Sequence, residues 1–164
     1  MPIEQGDAVP PATLKQMTAD GIKDVDLKTL LAGKKVILFG LPGAYTPVCT
    51  TAHLPGYVAE ADKLKADGVA EIACIAVNDP FVMGAWGTQQ GAEGKVLMLC
   101  DPDASFTRSL GLSLDLSAFG LGERSQRYSM VVQDGVVATV NIEQSIFDHG
   151  ASSASNLLAS APAE

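Results

Sequence analysis

Residues 42–50, Pro-Gly-Ala-Tyr-Thr-Pro-Val-Cys-Thr, place a thiol, a hydroxyl and two prolines within one short segment. The run before it, Val36-Ile37-Leu38-Phe39, reads as a buried strand, and the residues after it read as helical. Cys49 therefore falls where a strand hands over to the first turn of a helix. Unpaired backbone N–H groups and the positive end of the helix dipole converge there. A free thiol with a pKa near 8.5 is only about 3 % ionised at pH 7, and lowering that pKa by about two units makes it mostly thiolate. The thiolate is the nucleophile and the oxidisable form.

Thr46 precedes Cys49 by three residues, so its hydroxyl can share a helical turn with the sulfur. Such a hydroxyl can donate to a thiolate and accept from a second donor. Pro42 and Pro47 stiffen the loop, and Pro42 can shield the sulfur from bulk water. Plainer roles remain open: Thr46 also suits a helix cap, and both prolines suit turns. His53 follows Cys49 by four residues, one turn on, where an imidazole can serve as cation or base. A cysteine hydrolase would also need an orienting partner for that imidazole. With only His53 and His149 in the chain, and no orienting string, that chemistry is disfavoured.

The elements that must position these groups belong to one domain. The chain has 164 residues, 47 % hydrophobic and 18 % charged, enough for a closed core and unlike a disordered chain. A net charge of −8 lacks the basic patches that phosphates require, which argues against nucleic acid and anionic membrane as partners. The N-terminal residues carry Glu4 and Asp7 without an apolar stretch, unlike a signal peptide, and no run reaches transmembrane length. Three cysteines, Cys49, Cys74 and Cys100, are an odd count that fits no disulfide framework and suits a reducing compartment. That points to the cytoplasm, or to an organelle matrix if a targeting peptide has been removed. No Cys-x-x-Cys or His/Cys cluster suggests a metal, and no glycine-rich phosphate loop suggests a nucleotide, so no cofactor is expected.

Along the chain, a loop at Pro10-Pro11 and a turn at Asp20-Gly21 precede a short helix over Leu27 to Ala32 that ends at Gly33. A strand over Lys35 to Gly40 opens the cysteine motif. The helix after it is interrupted at Pro55-Gly56 and stops at Gly68. Glu71 to Val77 and Val96 to Cys100 read as buried strands. Between them, Asp79 caps a helix with Pro80 at its first position and Phe81, Val82, Ala85 and Trp86 as its apolar stripe. Asp103 caps a short helix in which Phe106 and Leu110 face the core, with Gly111 at its end. Tyr128 to Gln133 and Val136 to Ile142 flank Asp134-Gly135, a two-residue hairpin signal. A last helix runs from Ala151 through Leu157-Leu158 and frays into Ala-Pro-Ala-Glu. Alternating strands and helices followed by a hairpin predict an α/β protein with a central mixed sheet flanked by helices. Thioredoxin-like architecture fits this order, and the pattern alone leaves a flavodoxin-like sheet open.

Pro42, Thr46 and Cys49 complete the pattern P-x-x-x-T-x-x-C, which resembles the active-site signature of the peroxiredoxins. Four longer strings in order, FGLPGAYTPVCT, HLPG, VNDPFVMGAWG and RYSMVVQDG, resemble the type II, or peroxiredoxin-5-like, subfamily. The resemblance spans about Gly6 to Leu158 and implies a thioredoxin-like fold. It implies a thiol peroxidase reducing hydrogen peroxide and alkyl hydroperoxides, with Cys49 as the peroxidatic cysteine that becomes sulfenic acid. Thr46 then bonds thiolate and substrate, Arg127 lowers the thiol pKa and stabilises the developing oxyanion, and Pro42 limits solvent access. Arg124 is the neighbouring alternative, and only the resemblance chooses between the two arginines. Tyr45 stands where many relatives have Phe, which keeps an aromatic wall.

The resemblance also bears on how the sulfenic acid is resolved. Some relatives use a cysteine in the loop before the last helix, but this chain has Asp148-His149-Gly150-Ala151-Ser152-Ser153 there. Cys74 occupies the position used by plant-like members and is a candidate resolving residue, although a buried strand cysteine acting as a small hydrophobe is the stronger reading. Cys100 reads as structural. The favoured expectation is a one-cysteine cycle reduced by glutathione, glutaredoxin or thioredoxin. His53 is expected to pack near the site rather than to transfer protons, His149 to be solvated, and the chain to form a homodimer. The competing function is a peroxide-sensing regulatory thiol with little turnover.

Overall fold

The computed structural model describes residues 2–160; the expected Ala-Pro-Ala-Glu tail lies outside the described residues. Strands β1 (Thr13–Thr18) and β2 (Gly21–Asp26) form a hairpin, followed by helix α1 (Leu27–Leu31) and strand β3 (Lys35–Gly40). A π-helical turn, Cys49–His53, leads into α2 (Leu54–Ala66), then β4 (Glu71–Ala76), α3 (Pro80–Gln89) and β5 (Leu97–Cys100). After α4 (Ser105–Ser109) come β6 (Ser113–Asp115), β7 (Glu123–Ser125), β8 (Tyr128–Gln133), β9 (Val136–Ile142) and α5 (Ala154–Ser160). Seven strands make the main sheet in the order β2-β1-β5-β4-β3-β8-β9, while β6 and β7 pair separately. Strands β3, β4 and β5 are parallel, and β1, β8 and β9 join antiparallel. The sheet is mixed, as expected.

Strand β3 is central because its residues from Val36 onward are all buried, so both faces need cover. Ile37 and Phe39 point to one side, with Ile72, Cys74 and Met98, under α2, α3 and α5. Val36 and Leu38 point to the other, with Ala73, Ile75 and Leu99, under Leu27 and Leu31 of α1 and Phe106 of α4. All three cysteines lie on the first face. The turn between β8 and β9 puts Asp134 and Gly135 at φ +50° and +79°, the two left-handed residues that such a hairpin requires.

Several expectations need correction. The N-terminal hairpin is legible in sequence only as its turn, because β1 is mostly half-exposed, β2 is mostly exposed, and their Lys and Asp residues hide the alternation. Pro55-Gly56 does not interrupt the helix. The Leu54 N–H donates to the Cys49 carbonyl in a wide five-residue turn, and Pro55, which has no N–H to give, falls in the first turn of α2. On α3, Asp79 does cap, accepting from Val82 N at 2.8 Å, but Phe81 and Ala85 are exposed and the buried stripe is Pro80, Met83, Trp86 and Gly87. A Cβ on Gly87 would press on Met98 Cγ, so the missing side chain brings the helix close to the sheet.

At α4 the cap position is Ala104, at φ +62°. Asp103 accepts from Ser105 N, but buried Asp101 accepts from Phe106 N, Thr107 N and Thr107 Oγ1. The carboxylate that organises this turn sits two residues earlier than expected. The last helix begins at Ala154 rather than Ala151. Among the described residues, no helix is long and apolar enough to cross a membrane.

Gly40, the last residue of β3, lies against the ring of buried Tyr128, and a Cβ there would overlap it. Gly40→Ala should cost about 1–3 kcal/mol of overpacking. Urea unfolding should show a lower midpoint with an unchanged slope; an unchanged midpoint would refute the close contact.

Candidate active site

Cys49 sits at the start of the π-helical turn and is fully buried. The segment that delivers it, from Leu41 onward, leaves the carboxyl end of β3, the end at which parallel strands present their loops. Two side chains from elsewhere hold that segment. Asn78 Oδ1 accepts from Ala44 N at 2.9 Å, and Arg124 NH1 donates to the Pro42 carbonyl at 3.2 Å. Pro42 itself is buried. Farther along, Trp86 Nε1 donates to Thr50 Oγ1 at 3.2 Å.

Arg127 enters from the loop before β8, buried to 2 % exposure. Its NH2 donates to Cys49 Sγ at 3.2 Å and to the Ile146 carbonyl at 3.0 Å. Its NH1 donates to His53 Nδ1 at 2.9 Å. That bond makes Nδ1 the acceptor, so the imidazole proton lies on Nε2, which donates to the Ser152 carbonyl at 3.2 Å. The structure thus separates the two arginines that sequence left side by side: Arg127 reaches the sulfur, while Arg124 ties down the loop, its Nε donating to Leu121 O. Thr46 departs from expectation, since its hydroxyl donates to the Gly43 carbonyl at 2.6 Å rather than to sulfur. Its oxygen lone pairs remain able to accept from a substrate O–H.

Burial and charge sort the three thiols. Burial drives the Cys74 thiol well up, with the neighbouring Cys49 and Cys100 adding to it and Arg127 only partly opposing. Burial, reinforced by Asp79, pushes Cys100 up to about 12. Both shifts favour the protonated thiol at neutral pH. Only Cys49 has a guanidinium in direct contact. All three cysteines are free.

His53 contributes more than sequence reasoning gave it. Burial, then the Arg127 charge, lower its pKa from 6.5 to about 3, with the Ser152 carbonyl partly opposing. It is a neutral hydrogen-bonding group and carries no proton to or from substrate at ordinary pH. His149 is exposed, as expected. Sequence reasoning also missed Glu143, whose Oε2 accepts from Ser152 N and Ser152 Oγ, both at 2.6 Å. A buried acid just after a strand carries no sequence signal until its partner, some ten residues away, is known.

A parallel-centred sheet that presents a buried thiol to a buried guanidinium at a strand-to-helix junction suits a protein that works through a thiol. The redoxin family model matches residues 4–158. The chain is 45 % identical over 143 residues to Peroxiredoxin-2B of Arabidopsis thaliana, covering 87 % of this chain and 88 % of that protein. It is 44 % identical to the chloroplastic Peroxiredoxin-2E of the same plant over 87 % of its own length, spanning 62 % of that longer relative. Among solved structures, reduced Prx3 of Vibrio vulnificus in complex with hydrogen peroxide superposes with a TM-score of 0.90 at 52 % identity, over 96 % of this chain and 98 % of that one. A structure from Burkholderia cenocepacia, described as a candidate thioredoxin reductase, superposes at 0.96 with 45 % identity over 99 % of both chains. The chain belongs to the redoxin family and, within it, to the peroxiredoxins, which are thiol peroxidases.

The buried imidazole makes stability depend on pH in a defined direction. His53 ionises near pH 3 when folded and near 6.5 when exposed, so between those values the unfolded chain binds more protons. Its contribution is complete above about pH 6.5 and is lost as pH falls toward 3. Between pH 7 and pH 5 the wild type should lose about 2 kcal/mol more unfolding free energy than His53→Asn, which has no such titration. Equal losses in urea titrations at the two pH values would contradict the assignment.

Proposed function

We propose that Cys49 is the peroxidatic cysteine of a thiol peroxidase acting on hydrogen peroxide and alkyl hydroperoxides, the whole of residues 1–164 acting as one domain. The observation that carries this reading is the Arg127 NH2 contact with Cys49 Sγ at 3.2 Å. The thiolate attacks one peroxide oxygen, the O–O bond breaks, and the leaving oxygen departs as water or alcohol after taking up a proton. Cys49 is left as sulfenic acid, two electrons oxidised. Arg127 donates to the sulfur before attack and to the charge that grows on the oxygens during it, where a preoriented donor is most effective. Thr46, its proton committed to Gly43, accepts from the peroxide O–H and aligns the oxygen pair. Pro42 keeps bulk water from the thiolate.

Regeneration runs as a one-cysteine cycle. An external thiol condenses with the sulfenic acid, releasing water and leaving a mixed disulfide, and a second thiol releases the Cys49 thiolate. Glutathione with glutaredoxin, or thioredoxin, is the reductant. This is supported by the absence of a thiol from the Asp148 to Ser153 loop and by the burial of Cys74 in β4. Three free thiols suit a reducing cytoplasm or organelle matrix. Exposed Phe81, Phe119 and Phe147 leave apolar surface that suits a homodimer.

Cys49→Ser should abolish peroxide consumption, and Arg127→Gln should lower kcat/KM by about 10²–10³-fold. Sustained turnover by Cys49→Ser would remove the assignment. With glutathione and glutaredoxin as reductant, Cys74→Ser should match the wild type in steady-state rate. A clear fall, accompanied by loss of a Cys49–Cys74 disulfide after peroxide treatment, would assign Cys74 the resolving role instead.

A further inference from the structure

We infer that His53 is a positioning residue for Arg127: its Nδ1 lone pair fixes the guanidinium against the Cys49 sulfur without neutralising it. Arg127 is held by unusual company for a buried cation. Its NH1 goes to His53, its NH2 to sulfur and the Ile146 carbonyl, and its Nε is buried without a partner. Among the described residues, the ion pairs involve Lys15, Lys63, Lys95 and Arg108, and none involves Arg127. A carboxylate at the Nδ1 position would grip the guanidinium more firmly, but it would offset the charge that favours the thiolate. An imidazole nitrogen accepts the same bond with no charge of its own.

The imidazole is itself fixed from three sides. Its Nε2 donates to Ser152 O, which also accepts from Tyr57 Oη at 2.6 Å. The Phe39 and Tyr57 rings pack edge-on against it, with centroids at 5.1 and 5.6 Å. Glu143 holds Ser152 through both its N–H and its hydroxyl, and the Glu143 N–H donates to the Arg127 carbonyl at 2.9 Å. The contacts close a ring: Arg127, His53, Ser152, Glu143 and back to Arg127. Glu143 spends its charge on Ser152, one step removed from the guanidinium. Burial keeps His53 neutral far below physiological pH, so the acceptor at Nδ1 persists throughout the working range. Other titratable groups near the sulfur are Arg124 of β7 and Cys74 of β4, while Tyr57 of α2 and His149 of the loop before α5 face the imidazole.

The inference rests on Cys49 being the reactive thiol. Two substitutions divide the imidazole into its halves. His53→Asn keeps an acceptor where Nδ1 stood, and His53→Gln keeps a donor where Nε2 stood. The test measures iodoacetamide alkylation of Cys49 across pH 4–9 in full-length chains carrying Cys74→Ser and Cys100→Ser, together with peroxide kcat/KM. His53→Gln should shift the alkylation profile to higher pH and lower kcat/KM about tenfold, while His53→Asn restores most of both. If His53→Gln does not fold, His53→Leu, with neither donor nor acceptor, takes its place with the same expectation. An unshifted profile in the chain lacking the acceptor, or an equal loss in His53→Asn, overturns the inference. Wild-type peroxide turnover that is lost in Cys49→Ser would stand under either result, so the two readings fail separately.

Discussion

A guanidinium and a sulfur, both withdrawn from water, meet at 3.2 Å, and among the described residues no carboxylate forms an ion pair with the cation. Burying an arginine without an ion-pair partner is costly, and its hydrogen bonds to sulfur, imidazole and carbonyl offset part of that cost. The contact works only if both groups are fixed beforehand, because a long flexible side chain left free would turn toward solvent. Arg127 is therefore surrounded by neutral acceptors, the His53 imidazole and the Ile146 carbonyl, which orient it without using up its charge.

The scaffold is arranged around that requirement. Strand β3 delivers the cysteine segment, and its antiparallel neighbour β8 is preceded by Arg127 at the same end of the sheet, with Gly40 opposite Tyr128 in register. Adjacent strands about 4.8 Å apart thus bring residues 49 and 127 within reach of one another. The widened π-helical turn sets Cys49 and His53 on one side of the helix entrance, and α2 then buries Tyr57 beneath them. The C-terminal loop closes the site from outside, pinned by Glu143 and Ser152.

Much of this could be read beforehand. The boundaries of β3, β8 and β9 follow from continuous apolar runs and an Asp-Gly turn, which are local signals. Asp79 and Pro80 announced their helix start for the same reason. Reading failed where the deciding partner was distant. The buried stripe of α3 escapes a sequence reading because Gly84 and Gly87 pack closely although neither counts as hydrophobic. Sequence points to Asp103 because a cap is sought next to its helix, whereas buried Asp101 bonds Thr107 six residues on. The hairpin of β1 and β2 lies at the sheet margin, where exposed and half-exposed residues include charged side chains that blur the alternation.

The chain's order of residues determined that one thiol would stand at a strand-to-helix junction, with a hydroxyl three residues before it and two candidate arginines far downstream. Those facts depend on neighbours along the backbone and on short-range patterns. Which arginine touches the sulfur, where the threonine proton points, and that a histidine buttresses the cation were decided only by folding. Arg124 and Arg127 differ by three positions in sequence, but pairing β3 with β8 carries one to the sulfur and leaves the other on the loop. Hydrogen bonds across 74 or 78 positions have no local signature, because their geometry exists only once the sheet has brought both ends together.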